Sequence, residues 1–246
     1  MNFVDTIDDR VPVRRALISV FNKRGLDLLV PGLLRINPSL SILSTGGSYV
    51  AVAAILGSGA GSARAKPGAA QPGAAGAGSL RQVSDYTGQP EMQGGLVKTL
   101  DFKIYLGLLS ETYNPEHSAD LERTGAEPID LVVVNLYPFK ETIAHAGVTP
   151  EQARANIDVG GPCMLRAAAK NFLRVAAVVD PADYQAILAE LEAGGGALSL
   201  ATRFRLAQKA FAATAEYDRA IASYMGGLQA GQVAACYPNL RPGGKA

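Results

Sequence analysis

The chain has 246 residues, and 48% of them are hydrophobic, so it is long enough to bury the core of one domain. Its 23 basic and 22 acidic residues leave a net charge of +1, which gives no reason to expect a nucleic acid or an acidic membrane surface as partner. Two unclustered cysteines and two isolated histidines exclude a disulfide framework and argue against a metal site.

The first half of the chain predicts two strand–helix units. The N-terminus lacks the apolar segment of a secretory signal. The sequence has no run of about 18 apolar residues, so no membrane span is predicted. We therefore expect a cytoplasmic protein. A strand is predicted over residues 13–20, and Gly25 opens a helical pattern that Pro31 should weaken or delay. A second strand over residues 40–43 and a helix over residues 49–56 follow.

Residues 57–79 differ in kind from the rest of the chain. They contain only Gly, Ala, Ser, Pro, Gln, Arg, Lys and no aromatic or branched apolar residue, so they cannot bury enough surface to offset their ordering entropy. We predict a flexible, low-complexity surface insertion within a single domain of residues 1–246. A domain boundary is the rejected alternative, because the segment before it is too short to be a domain.

The second half alternates strands with helices again. The clearest strand covers residues 130–135, whose four consecutive apolar residues suit a strand covered on both faces. Thr149 should cap one helix and Ser199 another over residues 200–224, with a helix over 162–170 and a strand over 174–179 between them. This alternation predicts an α/β fold, a three-layer sandwich with a mostly parallel central sheet. Residues 226–246 are predicted to be an irregular tail.

Two loops after predicted strands have the character of a phosphate site. Phe21-Asn-Lys-Arg-Gly25 follows the first strand, and Ser44-Thr-Gly-Gly-Ser48 follows the second. Both lead into helix N-termini, whose free N–H groups favour anions, and Lys23 and Lys98 could add positive charge. An ordinary turn rich in Ser and Gly explains the second loop equally well, and the sequence contains no P-loop motif.

Four polar residues further on are candidates for catalysis. Asn135 and Tyr137 follow the strongest strand, and Asp158 precedes the helix that ends at Lys170. Taken singly, each has an ordinary structural explanation: a helix cap for Asp158, a core ring for Tyr137 and a solvated helix end for Lys170.

Many ordered motifs resemble the IMP cyclohydrolase domain of the bifunctional AICAR transformylase/IMP cyclohydrolase. They include Leu43-Ser-Thr-Gly-Gly47, Val83-Ser-Asp-Tyr-Thr-Gly88, Val97-Lys-Thr-Leu100, Asp130-Leu-Val-Val-Val-Asn-Leu-Tyr-Pro-Phe139, Asn156-Ile-Asp-Val-Gly-Gly161 and Arg166-Ala-Ala-Ala-Lys-Asn171. The match runs over residues 13–224 and is broken only by the insertion.

The resemblance implies a methylglyoxal-synthase-like fold and the closure of FAICAR to IMP with loss of water. It implies a nucleotide monophosphate as substrate, a homodimer, and no metal or organic cofactor. The transformylase domain that follows in the family is not found in this sequence, so formyl transfer from a folate is not expected.

The resemblance also assigns roles to residues. Lys98 and Tyr137 would lie at the developing oxyanion and the leaving oxygen, and Asp158 and Lys170 would form the proton-transfer pair. Asn135, Val159 and Gly160 would line the base. The phosphate and ribose would be held by Asn22, Lys23, Thr45, Gly46, Gly47, Ser48 and Thr99.

Several positions depart from the family pattern. Leu96 replaces an arginine that would help bind the phosphate, and Phe21 replaces a serine, with Arg24 as a possible compensation. Asp101 and Tyr105 replace histidines, and Phe172 replaces another. Because the four catalytic candidates are intact, we expect ring closure to be retained with altered recognition of the substrate, such as a purine analogue in nucleoside antibiotic assembly.

Two further functions remain open at this point. One is a non-catalytic nucleotide-binding module, against which the retained Lys98 and Lys170 argue. The other is a methylglyoxal-synthase-like lyase acting on a triose phosphate, against which the motifs around Asn135 and Asp158 argue.

Overall fold

A computed structural model describes residues 3–59, 79–89 and 99–241. The strands in these ranges are β1 (Arg10–Pro12), β2 (Arg15–Val20), β3 (Ser41–Ser44), β4 (Ser79–Gln82), β5 (Leu131–Asn135), β6 (Ala176–Val178) and β7 (Ala197–Ser199). The helices are α1 (Leu26–Ile36), α2 (Gly46–Gly59), α3 (Val83–Thr87), α4 (Phe102–Leu109), α5 (Pro115–Thr124), α6 (Phe139–Ala144), α7 (Pro150–Ala155), α8 (Gly160–Lys170), α9 (Tyr184–Ala193), α10 (Leu200–Gly226) and α11 (Ala230–Ala234).

The central sheet has the strand order β4-β3-β2-β5-β6, and every neighbouring pair in it is parallel. The strands β3 and β4 follow β2 on one side of the sheet, and β5 and β6 follow on the other side of β2. The order therefore reverses between β2 and β5. In open parallel sheets this switch point, at the carboxyl ends of the strands, is where ligands bind.

Helices cover both faces of the sheet, which confirms the predicted three-layer sandwich. Alternate residues of β2 divide between the two cores: Ala16 and Ile18 pack on α1, α2 and α9, whereas Leu17 packs on α3, α4, α8 and α10. The strand β5 divides in the same way, with Val133 in the first core and Val132 in the second. Side chains of successive strand residues point to opposite faces, so a continuous apolar run serves both layers.

A two-stranded antiparallel ribbon of β1 and β7 joins the N-terminal segment to the start of α10. It was not predicted, because each strand is only three residues long. The adjoining Arg203 is 1% exposed and donates to five backbone carbonyls. These belong to Asp8, Asp9, Phe172, Leu173 and Leu198. Its guanidinium therefore binds the N-terminal segment to the loop before β6.

The predicted helix caps are confirmed. Thr149 forms a reciprocal capping box with Gln152 at the start of α7, and the Ser199 hydroxyl accepts the N–H of Thr202 at the start of α10. Pro31 lies inside α1 on its exposed side. Water can there satisfy the carbonyl that proline leaves unpaired, so the helix neither stops nor starts later.

Other boundaries differ from the prediction. Helix α2 begins three residues early, at Gly46, and extends to Gly59, so it includes the first residues of the predicted insertion. Ser79, the last residue of that insertion, belongs to β4, and residues 60–78 lie outside the described ranges. The tail contains the short helix α11, which packs on α7. None of the described helices combines the length and apolar character needed to cross a membrane.

Candidate functional site

A cavity of about 510 Å³ opens beside the switch point, bordered by the ends of β2 and β5 and by the N-termini of α2 and α8. This volume is within the range of sites that hold small molecules. Most of the predicted site residues line it: Lys23, Thr45, Gly46, Gly47, Ser48, Thr99, Asn135, Tyr137, Asp158, Val159 and Gly160. Polar groups from five separate segments of the chain therefore converge on one space.

The loop after β2 is fastened to the loop after β5 by a reciprocal pair of hydrogen bonds. The Asn135 side chain accepts the N–H of Asn22 at 2.9 Å and donates to its carbonyl at 2.8 Å. Asn22 itself does not line the cavity, so its described contacts position the loop. Lys23 does line it and donates to the carbonyls of Val20 and Phe21. Partial burial lowers the pKa of Lys23.

The loop between β3 and α2 holds the N-terminus of that helix against the cavity. The hydroxyls of Thr45 and Ser19 are 2.7 Å apart. The buried Ser48 hydroxyl accepts the N–H of Val20 and donates to its carbonyl, so it fastens α2 to β2. A Cβ placed on Gly47 would lie 3.9 Å from the Lys23 ammonium. A helix N-terminus and an ammonium each favour an anion nearby.

Asp158 lies at the N-terminus of α8, and its carboxylate accepts the N–H of Gly161 at 2.9 Å. Burial raises the pKa of Asp158, against the opposing effect of hydrogen bonds from the N–H groups of Gly161 and Tyr137. A partly desolvated carboxylate of this kind is a stronger base than one in water. Gly160 packs so closely on Thr99 that a Cβ there would lie 2.7 Å from its hydroxyl oxygen.

Tyr217 forms a hydrogen bond with the backbone of Asp158. Its hydroxyl oxygen accepts the N–H of Asp158 at 2.7 Å and lies 3.5 Å from the carbonyl of Asn156. The ring packs edge-on against Phe139, with centroids 6.1 Å apart. Burial raises the pKa of Tyr217, so the hydroxyl stays protonated at neutral pH. Tyr217 was not among the predicted site residues, because it lies 59 positions from its partner in the chain.

One of the four catalytic candidates, Lys170, does not join this group, and a second lies outside the described residues. Lys170 is exposed at the C-terminus of α8, whereas Asp158 precedes its N-terminus. The eleven residues of α8 span roughly 16 Å, so within one chain the pair implied by the resemblance does not meet. Lys98 lies outside the described residues, but the next residue, Thr99, lines the cavity.

Most of the described departures from the family pattern lie away from the cavity. Asp101 caps α4 by accepting the N–H of Lys103. Tyr105 packs against the second core, and Phe172 pairs with Phe204. Phe21 is different, because it lines the cavity and contacts the Tyr137 ring. Leu96 lies outside the described residues.

The described part of the chain brings together no group of three His, Cys, Asp or Glu side chains that could hold a metal ion. What converges is one end with a positive potential, formed by Lys23 and the start of α2, and another end with a phenol and a carboxylate, those of Tyr137 and Asp158. Together with the switch point between β2 and β5, this defines an α/β domain of the methylglyoxal-synthase-like class.

Comparison with known proteins agrees with this class. The family model described as "MGS-like domain" matches residues 76–163, and the one described as "AICARFT/IMPCHase bienzyme" matches residues 168–241. The bifunctional purine biosynthesis protein PurH of Neisseria gonorrhoeae is 46% identical over 219 residues, which cover 89% of this chain and 37% of that protein. PurH of Acidithiobacillus ferrooxidans is 45% identical over 216 residues, covering 88% of this chain and 37% of that protein.

A solved structure, that of ForH, superposes with a TM-score of 0.64 at 32% identity, covering 85% of this chain and 96% of ForH. The chain therefore belongs to the family of the IMP cyclohydrolase domain of the bifunctional AICAR transformylase/IMP cyclohydrolase. It spans a little over a third of the length of the PurH relatives.

Proposed function

We propose that this protein closes the second ring of a purine nucleotide, converting FAICAR to IMP with loss of water, or acts in the same way on a close purine analogue. One observation carries the proposal: Tyr137 and Asp158 border the same cavity as Lys23 and the N-terminus of α2. A substrate that has a phosphate at one end and a reacting heterocycle at the other needs both groups within one site.

The phosphate would bind where α2 begins. The N-terminal N–H groups of this helix and its dipole favour an anion, and Gly46 and Gly47 leave room for close approach. The Lys23 ammonium lies beside Gly47 and supplies a full charge. Burial lowers the pKa of Lys23, and a bound phosphate would act in the opposite direction.

Ring closure joins the carboxamide nitrogen of the substrate to the carbon of its formamido group. The carboxamide nitrogen loses one of its two protons, and the formamido nitrogen loses its N–H proton as the new C=N bond forms. The attacked carbonyl oxygen takes up these two protons and leaves as water. Asp158 would accept the carboxamide proton, a role for which its raised pKa suits it at neutral pH. The Tyr137 hydroxyl, together with Lys98, would stabilise and protonate the leaving oxygen. Asn135, Val159 and Gly160 would hold the base so that the two arms face each other.

Lys170 needs a different arrangement to take part. In one chain it is a helix length away from Asp158, so it could act at this site only if a second copy supplied it. We propose a homodimer on this ground and on the family resemblance, and a cytoplasmic location on the resemblance alone. Size-exclusion chromatography with light scattering tests the dimer.

The test of function is direct. Purified protein is incubated with FAICAR, and IMP is measured by liquid chromatography and mass spectrometry, with Asp158→Asn as the inactive control. We expect turnover that this substitution lowers by at least about a hundredfold.

The position of Lys170 favours one second candidate, a nucleotide-binding module without catalysis. Binding of IMP by calorimetry, with no turnover of FAICAR by the dimeric protein, would support that candidate and refute the conversion of FAICAR to IMP. If neither FAICAR nor IMP interacts with the protein, the conversion of FAICAR and the binding of IMP are both wrong.

A further inference from the structure

Two aromatic rings stand together at the mouth of the cavity. Phe21 follows β2 and Tyr137 follows β5, and their ring centroids are 5.4 Å apart with an interplanar angle of 58°. Both side chains line the cavity, and they are 51% and 44% exposed. A phenyl ring that is half exposed at a cavity mouth leaves apolar surface available to a ligand.

The loops that carry these rings are held together before any ligand binds. Asn22 follows Phe21, Asn135 precedes Tyr137 by two positions, and the two asparagines exchange hydrogen bonds of 2.9 and 2.8 Å. The Lys23 ammonium also donates to the carbonyl of Phe21. These contacts anchor the backbone next to the Phe21 ring, so a ligand that packs on it has little ordering entropy to overcome.

The surroundings of the ring pair match a ligand that is polar at one end and flat at the other. Lys23 and Gly47 lie at the end of the cavity that would hold the anionic group of the ligand. On the cavity wall, Val159 and Leu100 are also large apolar side chains that remain 57% and 39% exposed. A planar heterocycle entering beside the rings would cover apolar surface that is otherwise in contact with water.

We infer that Phe21 is a specificity-determining residue that packs, together with Tyr137, against the heterocycle of the nucleotide. This deepens the proposed function and rests on it. Where the family resemblance places a serine, this chain has a ring that can bury apolar area and take up an aromatic contact. The consequence is that the base contributes a larger share of the binding free energy, and that heterocycles with fewer hydrogen-bonding groups are still accepted.

The experiment compares Phe21→Ser with the unaltered full chain, with IMP and ribose 5-phosphate as calorimetric probes. We expect the Kd of IMP to rise about threefold to tenfold, in line with the usual contribution of an aromatic contact. The Kd of ribose 5-phosphate, which has no base, should not change. Phe21→Tyr should bind IMP like the unaltered protein, and Phe21→Leu should lie between it and the serine variant.

The matched control is Phe204→Ser, which removes a ring that is 46% exposed on α10 and does not line the cavity. It should leave both dissociation constants unchanged. Equal IMP affinity in Phe21→Ser and the unaltered protein would overturn the inference. So would an equal weakening of both probes, which would place Phe21 in the phosphate site. If the unaltered protein binds ribose 5-phosphate but not IMP, the proposed function itself fails, and this inference fails with it.

Discussion

Gly161 allows the Asp158 carboxylate to pack over the first turn of α8. A Cβ built on Gly161 would lie 2.4 Å from one carboxylate oxygen of Asp158 and 3.1 Å from the other. Ordinary van der Waals contact begins at 3.4 Å, so in Gly161→Ala the nearer oxygen must withdraw by about 1 Å (3.4 minus 2.4). The hydrogen bond from the Gly161 N–H to Asp158 would be lost or distorted by the same movement.

The kinetic and the structural effects of this substitution should differ in size. A misplacement of about 1 Å in a reacting group costs roughly a hundredfold in rate, which corresponds to about 2.7 kcal/mol of activation free energy. Stability should change less, because the lost hydrogen bond, worth about 1.5–3 kcal/mol, is partly offset by the higher helix propensity of alanine. We therefore expect a folded protein with kcat lowered by roughly two orders of magnitude.

The assay is the conversion of FAICAR to IMP, with thermal unfolding followed in parallel by circular dichroism. Gly231→Ala in α11 is the control, because no described atom lies within 4 Å of a Cβ built there. It should leave kcat unchanged. A Gly161→Ala variant that turns over FAICAR at the unaltered rate would refute the assignment of Asp158 as the proton acceptor.

Three further predictions concern the groups around this site and the buried core. Because burial raises the pKa of Asp158, its charged form lowers the free energy of unfolding at neutral pH. Asp158→Asn should therefore have a higher Tm than the unaltered protein at neutral pH. The difference in Tm should vanish as the pH falls below the pKa of this carboxyl in the unfolded chain. Thermal melts across this pH range measure it, and a constant difference would contradict the burial effect. Tyr217→Phe removes the acceptor of the Asp158 N–H, so kcat should fall about tenfold with little change in KM, at a cost of about 1 kcal/mol in stability; an unchanged kcat would show that Tyr217 does not position Asp158. Arg203→Lys replaces a guanidinium that donates to five carbonyls with a group of three donors. Urea unfolding should therefore show that the free energy of unfolding falls by about 3 kcal/mol or more. A fall of less than about 1 kcal/mol would show that these hydrogen bonds do not stabilise the fold.

The class of fold follows from patterns that act over a few residues. The run Leu131–Asn135 is continuously apolar up to its last residue, which identifies a strand covered on both faces. Thr149 and Ser199 start helices by hydrogen bonds to residues three positions ahead, so their caps can be recognised in the sequence. The grouping of polar loops also follows, because the carboxyl ends of parallel strands share one edge of a sheet.

The partners of individual side chains depend on contacts between distant parts of the chain. Tyr217 meets Asp158 across 59 positions, and Asn22 meets Asn135 across 113. The three-residue strands β1 and β7 are stabilised by pairing with each other and by hydrogen bonds from Arg203, and not by a local sequence pattern. No local pattern marks such pairs, because each partner alone is compatible with an ordinary surface or core position.

The amino-acid sequence by itself determined the alternation of strands and helices, the helix caps and the family of the protein, since all three are carried by short motifs in order along the chain. Only the tertiary structure decided that the sheet reverses between β2 and β5, that Phe21 stands beside Tyr137 at the cavity, and that Lys170 lies a helix length from Asp158. The physical reason is that periodicity and capping energies are local, whereas the closure of long loops costs nearly the same whichever elements it brings together. The choice among arrangements is then made by packing across the whole core.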